Sequence, residues 1–124
     1  MAPYDPQQHG PKRIVGPGFH ELVYKLACAV PTGSVTTYGD IGAALGSKGV
    51  ARQVGYAMAA LPEGQEVPWW RVVAAGGRLS QSPAAAERQA RLLELEGVPV
   101  SNLRVCNFTE RRHCFGPTTS WRDT

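Results

Sequence analysis

Three cysteines are the side chains of this 124-residue chain best suited to covalent chemistry, because a thiolate is a strong nucleophile and a metal ligand. Cys28, Cys106 and Cys114 are an odd number, which does not suit the disulfide framework of a small secreted domain. Cys106 and Cys114 lie near His113, but no Cys-x-x-Cys pair accompanies them. We therefore predict reduced thiols, no metal and no other cofactor, with Cys28 serving in helix packing.

The segment 48–61, which is rich in small residues and contains Arg52, is the second candidate functional region, and its residue types suggest binding rather than catalysis. Outside its apolar stripe it is mostly glycine and alanine, and only Lys48, Arg52, Gln53 and Tyr56 reach outward. Glycine inside a helix costs about 1 kcal/mol relative to alanine. Close approach of a second backbone is one reason to keep it. From these residues alone, that backbone could belong to the protein itself or to DNA.

Apolar spacing and capping residues predict the helices that must position these side chains. An apolar stripe from Phe19 to Val30 predicts a first helix, which Pro31 and Gly33 end. Thr37 and Asp40 resemble a capping box for a short helix over 38–45. After Gly46, Ser47 is placed to cap a third helix that runs to Leu61. Two helices joined by a tight glycine-containing turn predict a helix-turn-helix.

Residues 67–81 predict a β-hairpin, with Val72 and Val73 in the first strand, a Gly76-Gly77 turn and Leu79 in the return strand. A helix is predicted from Ser82-Pro83 to Glu96, followed by a strand or extended segment over 98–108. The predicted fold is mostly α with a small β-hairpin, a winged-helix-like helix-turn-helix domain. It spans 18–108, between a flexible N-terminal tail at 1–17 and an irregular C-terminal tail at 109–124.

Composition and charge narrow the classes of function. Apolar residues make up 43% of the chain, enough for a packed core, and the net charge of +3 permits a nucleic-acid partner without requiring one. No apolar run is long enough to cross a bilayer, and no secretion signal is visible at the N-terminus. We expect a monomer without membrane contact, cytoplasmic in a bacterium and nuclear in a eukaryote.

The stretch 68–72, Pro-Trp-Trp-Arg-Val, follows the helical pair and carries a family resemblance. It resembles the Pro-Cys-His-Arg-Val motif of O6-alkylguanine-DNA alkyltransferases, and the likeness extends over 30–97. In those enzymes the Cys accepts the alkyl group of a damaged guanine, while the His, with a Glu, activates the thiol. Trp69 stands at the Cys position, Trp70 at the His position and Glu96 at the position of the carboxylate.

The two indoles have a direct chemical consequence. Alkyl transfer needs a thiolate and a group that activates it, and indole supplies neither. The chain is therefore identified as similar to alkyltransferase-like proteins, which bind the lesion without repairing it, and no enzymatic activity is expected. Known members commonly carry Trp at the Cys position but keep the His, so Trp70 departs from the pattern. Glu96 is left without a catalytic partner.

The resemblance also implies roles for residues outside the motif. Tyr38 matches the tyrosine that rotates the 3′ phosphate during nucleotide flipping, and Arg52 matches the arginine that fills the gap left by the extruded base. Small residues of the recognition helix enter the minor groove. The implied DNA-binding set is Thr37, Tyr38, Ala51, Arg52 and Gly55. The implied lesion pocket is Trp69, Trp70, Arg71, Val72 and Ser82.

Ser82 is a further departure, because the enzymes carry Tyr on this loop over the base and some alkyltransferase-like members carry Arg. The resemblance implies recognition of O6-alkylguanine in double-stranded DNA, with nucleotide flipping and hand-off to nucleotide excision repair proteins. Two alternatives stay open. One is a residual alkyl acceptor that uses Cys28, Cys106 or Cys114. The other is a winged-helix DNA-binding module with no preference for a lesion.

Overall fold

The computed structural model describes residues 15–116, and most of this part of the chain is helical. The elements are α1 Phe19–Ala29, β1 Thr36–Thr37, α2 Tyr38–Leu45, α3 Ala51–Ala59, β2 Val72–Val73, α4 Pro83–Leu95, β3 Val100–Ser101, β4 Arg104–Val105 and α5 Phe108–Arg111. Short 3-10 turns occupy Lys48–Val50, Trp69–Arg71 and Ala75–Gly77. The prediction of a mostly helical fold with a small sheet and a helix-turn-helix is confirmed. Within 15–116, no helix combines the length and apolar character needed to cross a bilayer.

The first core forms where α1 packs against α2 and α3. The predicted stripe of α1 is buried, with Phe19 at its start and Val23 and Leu26 fully enclosed. These side chains contact Ile41 of α2 and Val54 of α3 in one cluster. The three helices therefore hold each other by apolar contact, which fixes the orientation of α3 relative to the rest of the molecule.

The turn between α2 and α3 depends on a very close backbone approach. A Cβ atom on Gly42 would lie only 2.7 Å from the carbonyl oxygen of Ser47, so no side chain fits there. Gly46 ends α2 with a φ of 125°, and Ser47 Oγ accepts a hydrogen bond from Gly49 N at 3.0 Å. Ser47 thus caps the 3-10 turn, while α3 itself begins at Ala51 and ends at Ala59. The predicted third helix was too long at both ends.

The predicted β-hairpin over 72–79 is wrong in its pairing. Strand β2 pairs in parallel with β1, and only one antiparallel bridge, between Ala74 and Arg78, remains of the hairpin. Gly76 and Gly77 do form the turn, both with positive φ. After the turn the chain leaves β2, and Leu79 N donates to Leu103 O at 2.9 Å. The antiparallel hairpin of this fold is β3–β4 instead.

A second core lies between α4, β2 and the β3–β4 hairpin. Gln89 of α4 is almost fully buried and satisfies three backbone groups around it. Its Nε2 donates to Trp70 O at 3.2 Å and to Val72 O at 3.0 Å, and its Oε1 accepts from Ser80 N at 2.9 Å. This one side chain therefore ties the segment that carries the two indoles to α4.

The described part of the predicted C-terminal tail, 109–116, contacts the domain. Most of α5 lies in this segment, and His113 N donates to Val35 O at 2.8 Å. Phe115 packs against the first core. The ordered domain in this part of the chain therefore continues past residue 108. The predicted N-terminal tail lies outside the described residues up to position 14, as does the rest of the predicted C-terminal tail, 117–124.

Candidate nucleic-acid interface

The outward face of α3, which consists of Arg52, Gly55, Tyr56 and Ala59, is open to solvent. Arg52, Tyr56 and Ala59 are spaced by four and three residues and are all exposed, while Val54 and Met58 bury the opposite side. A Cβ atom on Gly55 would meet nothing within 4 Å. Internal packing therefore does not explain Gly55, and the small side chains leave room for a backbone outside the protein.

A groove beside this face runs between the start of α2 and the turn after β2. It has a volume of about 410 Å³, and Thr37, Tyr38, Lys48, Ala51 and Arg112 are among the residues that line it. Three of the five predicted DNA-binding residues therefore lie together in one groove with two cationic side chains. The other two, Arg52 and Gly55, lie on the adjacent outward face of α3.

Tyr38 and Thr37 sit differently within that groove. Burial raises the pKa of Tyr38 above its ordinary value, so the phenol keeps its O–H as a hydrogen-bond donor at neutral pH. Thr37 is buried, and its Oγ1 already accepts a hydrogen bond from Asp40 N at 3.0 Å, which caps α2. Thr37 therefore positions Tyr38, the first residue of α2, while Tyr38 offers the polar contact.

Arg112 joins this groove to α2 through an ion pair with Asp40. Its Nη2 and Nε lie 2.6 and 2.7 Å from the two carboxylate oxygens of Asp40. Hydrogen bonds from Arg112 lower the pKa of Asp40 more than its partial burial raises it. The pair holds the chain after α5 against the start of α2.

Trp69 is partly buried, and its indole contacts three parts of the protein. One side packs against the first core, and its ring meets Trp70 edge-on, with ring centroids 6.1 Å apart. The guanidinium carbon of Arg88 lies 5.6 Å from the centroid of the Trp69 ring, within the range of a cation–π contact. Ser82 lies on the same segment as Arg88, exposed immediately before α4. An arginine of α4 therefore covers the indole, although Ser82 itself is small.

Trp70 and Arg71 are turned toward Glu96, and we call these three side chains the Glu96 network. Trp70 Nε1 donates to Glu96 Oε2 at 2.9 Å, and Arg71 Nη2 lies 2.6 Å from the same oxygen. Arg71 also donates to Val30 O at 2.8 Å and to Thr32 Oγ1 at 2.9 Å. Glu96 is therefore part of a hydrogen-bonded network that joins the end of α1, the 3-10 turn and the end of α4.

The electrostatics of Glu96 follow from this network. Its burial favours the neutral form and would raise its pKa. Hydrogen bonds from Arg71 and Trp70, with the charge of Arg71, act in the opposite direction and outweigh the burial, so the pKa of Glu96 is lowered. Glu96 is therefore an ionised acceptor at neutral pH, and its oxygens are engaged by donors of this chain.

The five predicted pocket residues do not form one cluster. Trp69, Trp70 and Arg71 line a cleft of about 570 Å³ with Cys28 and the loop 65–68. Val72 is 1% exposed and lies in the first core, so its side chain does not face a pocket. Ser82 does not line this cleft. The structure therefore brings the two indoles and Arg71 together at one cleft, and it places Val72 in the core and Ser82 outside the cleft.

Cys28 also differs from its predicted role. Its side chain is exposed at the cleft, and its thiol donates a weak hydrogen bond to Glu66 O at 3.9 Å. It is therefore a surface thiol, and α1 packs through its other residues. Its place off the apolar stripe was the sequence signal for this exposure.

Residues 18–98 match a protein-family model described as the DNA-binding domain of 6-O-methylguanine DNA methyltransferase. The chain is similar to the DNA base-flipping protein of Escherichia coli (strain K12), with 45% identity over 83 residues, which are 67% of this chain and 64% of that relative. It is also similar to Alkyltransferase-like protein 1 of Schizosaccharomyces pombe, with 42% identity over 84 residues, 66% of this chain and 78% of that relative. The match therefore spans just under two thirds of the length of the E. coli relative.

Two solved structures with DNA resemble this fold. Atl1 of S. pombe, in complex with damaged DNA containing O6-carboxymethylguanine, superposes with a TM-score of 0.68 and 37% identity over 80% of this chain and 95% of that chain. Mycobacterium tuberculosis OGT in complex with DNA gives a TM-score of 0.59 and 36% identity over 67% of this chain and 51% of that chain. Both of these proteins share the fold described above.

Proposed function

The chain belongs to the family defined by the DNA-binding domain of 6-O-methylguanine DNA methyltransferases, and from this premise we propose that it recognises O6-alkylguanine in double-stranded DNA without removing the alkyl group. In this function α3 docks in the minor groove and Arg52 enters the duplex. The alkylated guanine is flipped out of the stack toward Trp69. A lesion that weakens base pairing lowers the cost of this extrusion by a few kcal/mol at most, which contributes to selectivity.

The observation that carries the proposal is the pair of indoles in place of a reactive pair, next to a surface that is open for DNA. An acceptor site needs a nucleophile and a base in hydrogen-bond contact. Trp69 provides no nucleophile, and Trp70 donates its N–H to Glu96 rather than acting as a base. The outward face of α3 and the groove with Tyr38 nevertheless keep the polar, cationic and small side chains that a minor-groove surface needs.

Arg88 supplies the positive charge near Trp69 that Ser82 lacks. The carbon of its guanidinium lies 5.6 Å from the centroid of the Trp69 ring. Because Arg88 already occupies this side of the ring, a base that stacks on the indole there would have to displace Arg88 outward. Arg88 is exposed, so this movement is sterically free. The base then lies between an aromatic plane and a guanidinium, a common arrangement for unstacked bases.

The product of binding is a stable, bent complex, because no chemistry follows. We propose that nucleotide excision repair proteins read this complex and that the chain acts as a monomer, in the cytoplasm of a bacterium or the nucleus of a eukaryote. The names of two relatives, a DNA base-flipping protein and an alkyltransferase-like protein, support the lesion-binding step. The bound lesion in the S. pombe Atl1 complex supports it as well.

The test is a comparison of two duplexes that differ only in O6-methylguanine against guanine, at one stated salt concentration. We expect tighter binding of the lesion duplex by the unchanged chain. Arg52→Ala should weaken lesion binding by about 10- to 100-fold with no loss of thermal stability, because Arg52 is exposed. Arg91→Ala is the matched control, since it removes one exposed positive charge from α4. Equal affinities for the two duplexes would contradict the proposal.

The position of Cys28 favours a second candidate function, a residual alkyl acceptor. Its thiol lies in the cleft that Trp69 and Trp70 line. In such a reaction the Sγ–alkyl bond forms as the O6–alkyl bond breaks, and guanine is the leaving group. Mass spectrometry after incubation with alkylated DNA decides it, with Cys28→Ser, Cys106→Ser and Cys114→Ser as comparisons. A stoichiometric gain on one cysteine would replace the first proposal.

A binding module without lesion preference is the third candidate, which the helix-turn-helix supports. Competition between the lesion duplex and undamaged sequences distinguishes it. An undamaged sequence that displaces the lesion duplex would favour this module.

A further inference from the structure

Tyr56 is a large aromatic side chain exposed on a surface otherwise made of small residues. Its side chain is 62% exposed, and among residues 15–116 no hydrogen bond or ring contact engages it. The other large apolar side chains that are exposed in this part of the chain, Val15, Leu95 and Leu103, lie away from α3. Tyr56 is therefore the one large ring on the outward face of α3.

The helix geometry places Tyr56 directly in line with Arg52. The two residues are four apart in α3, so their side chains leave the same side of the helix about 6 Å apart along its axis. Gly55 and Ala59 flank them and add little bulk. A surface that meets Arg52 therefore also meets the ring of Tyr56.

We propose that Tyr56 is a second wedge, which enters the minor groove next to the step that Arg52 enters and makes lesion binding depend on how easily the flanking base steps deform. This inference rests on the proposed function, because it requires α3 to dock on DNA. Neither the resemblance nor the relatives assign a role to Tyr56.

The dimensions of the helix and the groove favour a wedge at Tyr56. A helix with its side chains is about 10 to 12 Å across, and the minor groove of B-DNA is about 6 Å wide. Small residues on α3 reduce this mismatch, and the protruding ring of Tyr56 increases it at one point. The duplex must therefore open and bend where the ring enters, as it does for the apolar wedges of other minor-groove proteins.

Deformation then becomes a source of sequence preference. Pyrimidine–purine steps such as TA and CA unstack easily, whereas A-tracts are stiff. A ring that separates two base pairs binds tighter where the step is flexible, even though it forms no hydrogen bond with a base edge. The ring also gains stacking energy against a base, so its removal should cost about tenfold in affinity, which corresponds to about 1.4 kcal/mol.

The experiment compares Tyr56→Ala and Tyr56→Phe with the unchanged chain on two O6-methylguanine duplexes, one with TA or CA flanks and one with A-tract flanks, by electrophoretic mobility shift. Leu95→Ala is the control, because Leu95 is 79% exposed at the end of α4. We expect the unchanged chain to favour the flexible flanks. Tyr56→Ala should lose about tenfold in affinity for those flanks and lose the preference. Tyr56→Phe and Leu95→Ala should keep both.

The other outcomes overturn the inference in distinguishable ways. If Tyr56→Ala keeps the flank preference and the affinity, Tyr56 is not a wedge. If Tyr56→Phe fails as Tyr56→Ala does, the hydroxyl and not the ring makes the contact. If the unchanged chain binds both damaged and undamaged duplexes equally, the proposed function fails, and the flank series on undamaged DNA still tests the wedge. If the unchanged chain binds none of the duplexes, both the proposed function and the wedge are wrong.

Discussion

Arg52 and Arg71 are both arginines near the predicted DNA site, and their surroundings are opposite. In the Glu96 network, Arg71 gives hydrogen bonds to Glu96, to Val30 O and to Thr32, and the ion pair is about seven-eighths buried. On the outward face of α3, Arg52 is exposed beside open space at Gly55. Arg71 therefore has its hydrogen-bond partners within the protein, whereas Arg52 has its side chain exposed on a surface that the proposed function assigns to DNA.

Among the variants that test this difference, Glu96→Gln is expected to have the largest effect on stability. Loss of the carboxylate charge leaves the guanidinium of Arg71 buried without its counter-ion, which should lower the free energy of unfolding by about 2 to 3 kcal/mol. Urea unfolding measures this change. Lesion discrimination by the folded fraction should stay unchanged, because the network is structural. Glu94→Gln, at an exposed site two residues away, is the matched control.

The same carboxylate gives a pH dependence with a definite sign. The pKa of Glu96 is lowered in the folded state, so its stabilisation is fully present above the unfolded value near 4.5 and is lost as the pH falls through the folded pKa. The unchanged chain and Glu96→Gln should therefore converge in stability in acid. A stability difference that persists after Glu96 is protonated in the folded state would show that the charge of Glu96 is not what the network needs.

Gly42 and Gly55 allow a paired test, because the space beside Gly42 is filled by the protein and the space beside Gly55 is open. Gly42→Ala places a Cβ atom 2.7 Å from Ser47 O and should destabilise the fold by about 1 to 3 kcal/mol. Gly55→Ala meets nothing within 4 Å and should stabilise α3 by up to about 1 kcal/mol. If DNA approaches this face closely, Gly55→Ala should also bind lesion duplex several-fold more weakly. Thermal melting and duplex titration of both variants give the answer, and unweakened binding by Gly55→Ala would argue against close approach.

The smallest effect is expected at the ion pair that borders both the groove and α2. Arg112 is about half exposed, so Arg112→Ala should reduce the free energy of unfolding by less than about 1 kcal/mol. The loss should shrink in high salt, since exposed charges are screened. Unfolding in low and high salt tests this. A large loss that salt does not change would place Arg112 with the buried network instead.

Local rules were sufficient for the starts of α1, α2 and α4, but they made α3 too long and gave no sign of α5. The four-residue spacing from Phe19, the Thr37–Asp40 cap and the Ser82-Pro83 start all depend on neighbours within a few residues, and the helices of the structure begin where these signals lie. The pairing of β1 with β2 joins segments 36 residues apart and involves two residues on each side. No local pattern contains information on that pairing. The Gly76-Gly77 turn signal therefore led to the prediction of a hairpin instead.

The candidate site likewise contains residues that the sequence predicted and contacts that it did not. Tyr38, Arg52 and Trp69 were predicted as site residues because the resemblance depends on residue types and their spacing along the sequence. Arg88 over Trp69 and Arg112 on Asp40 were missed, since each contact depends on how α4 and the chain after α5 fold back. The only sequence signal for Tyr56 was its place among the outward residues of α3, and no local rule gave a meaning to its size.

The contact of Arg88 with Trp69 also gives the protein an optical property. A purine that stacks on this ring replaces a guanidinium with a second aromatic system and alters the emission of an indole that already meets Trp70 edge-on. If the proposed flipping toward Trp69 occurs, intrinsic tryptophan fluorescence should report the arrival of the base in unlabelled protein. In a stopped-flow experiment, the time between duplex encounter and this signal would separate the proposed docking of α3 from the proposed flipping of the nucleotide.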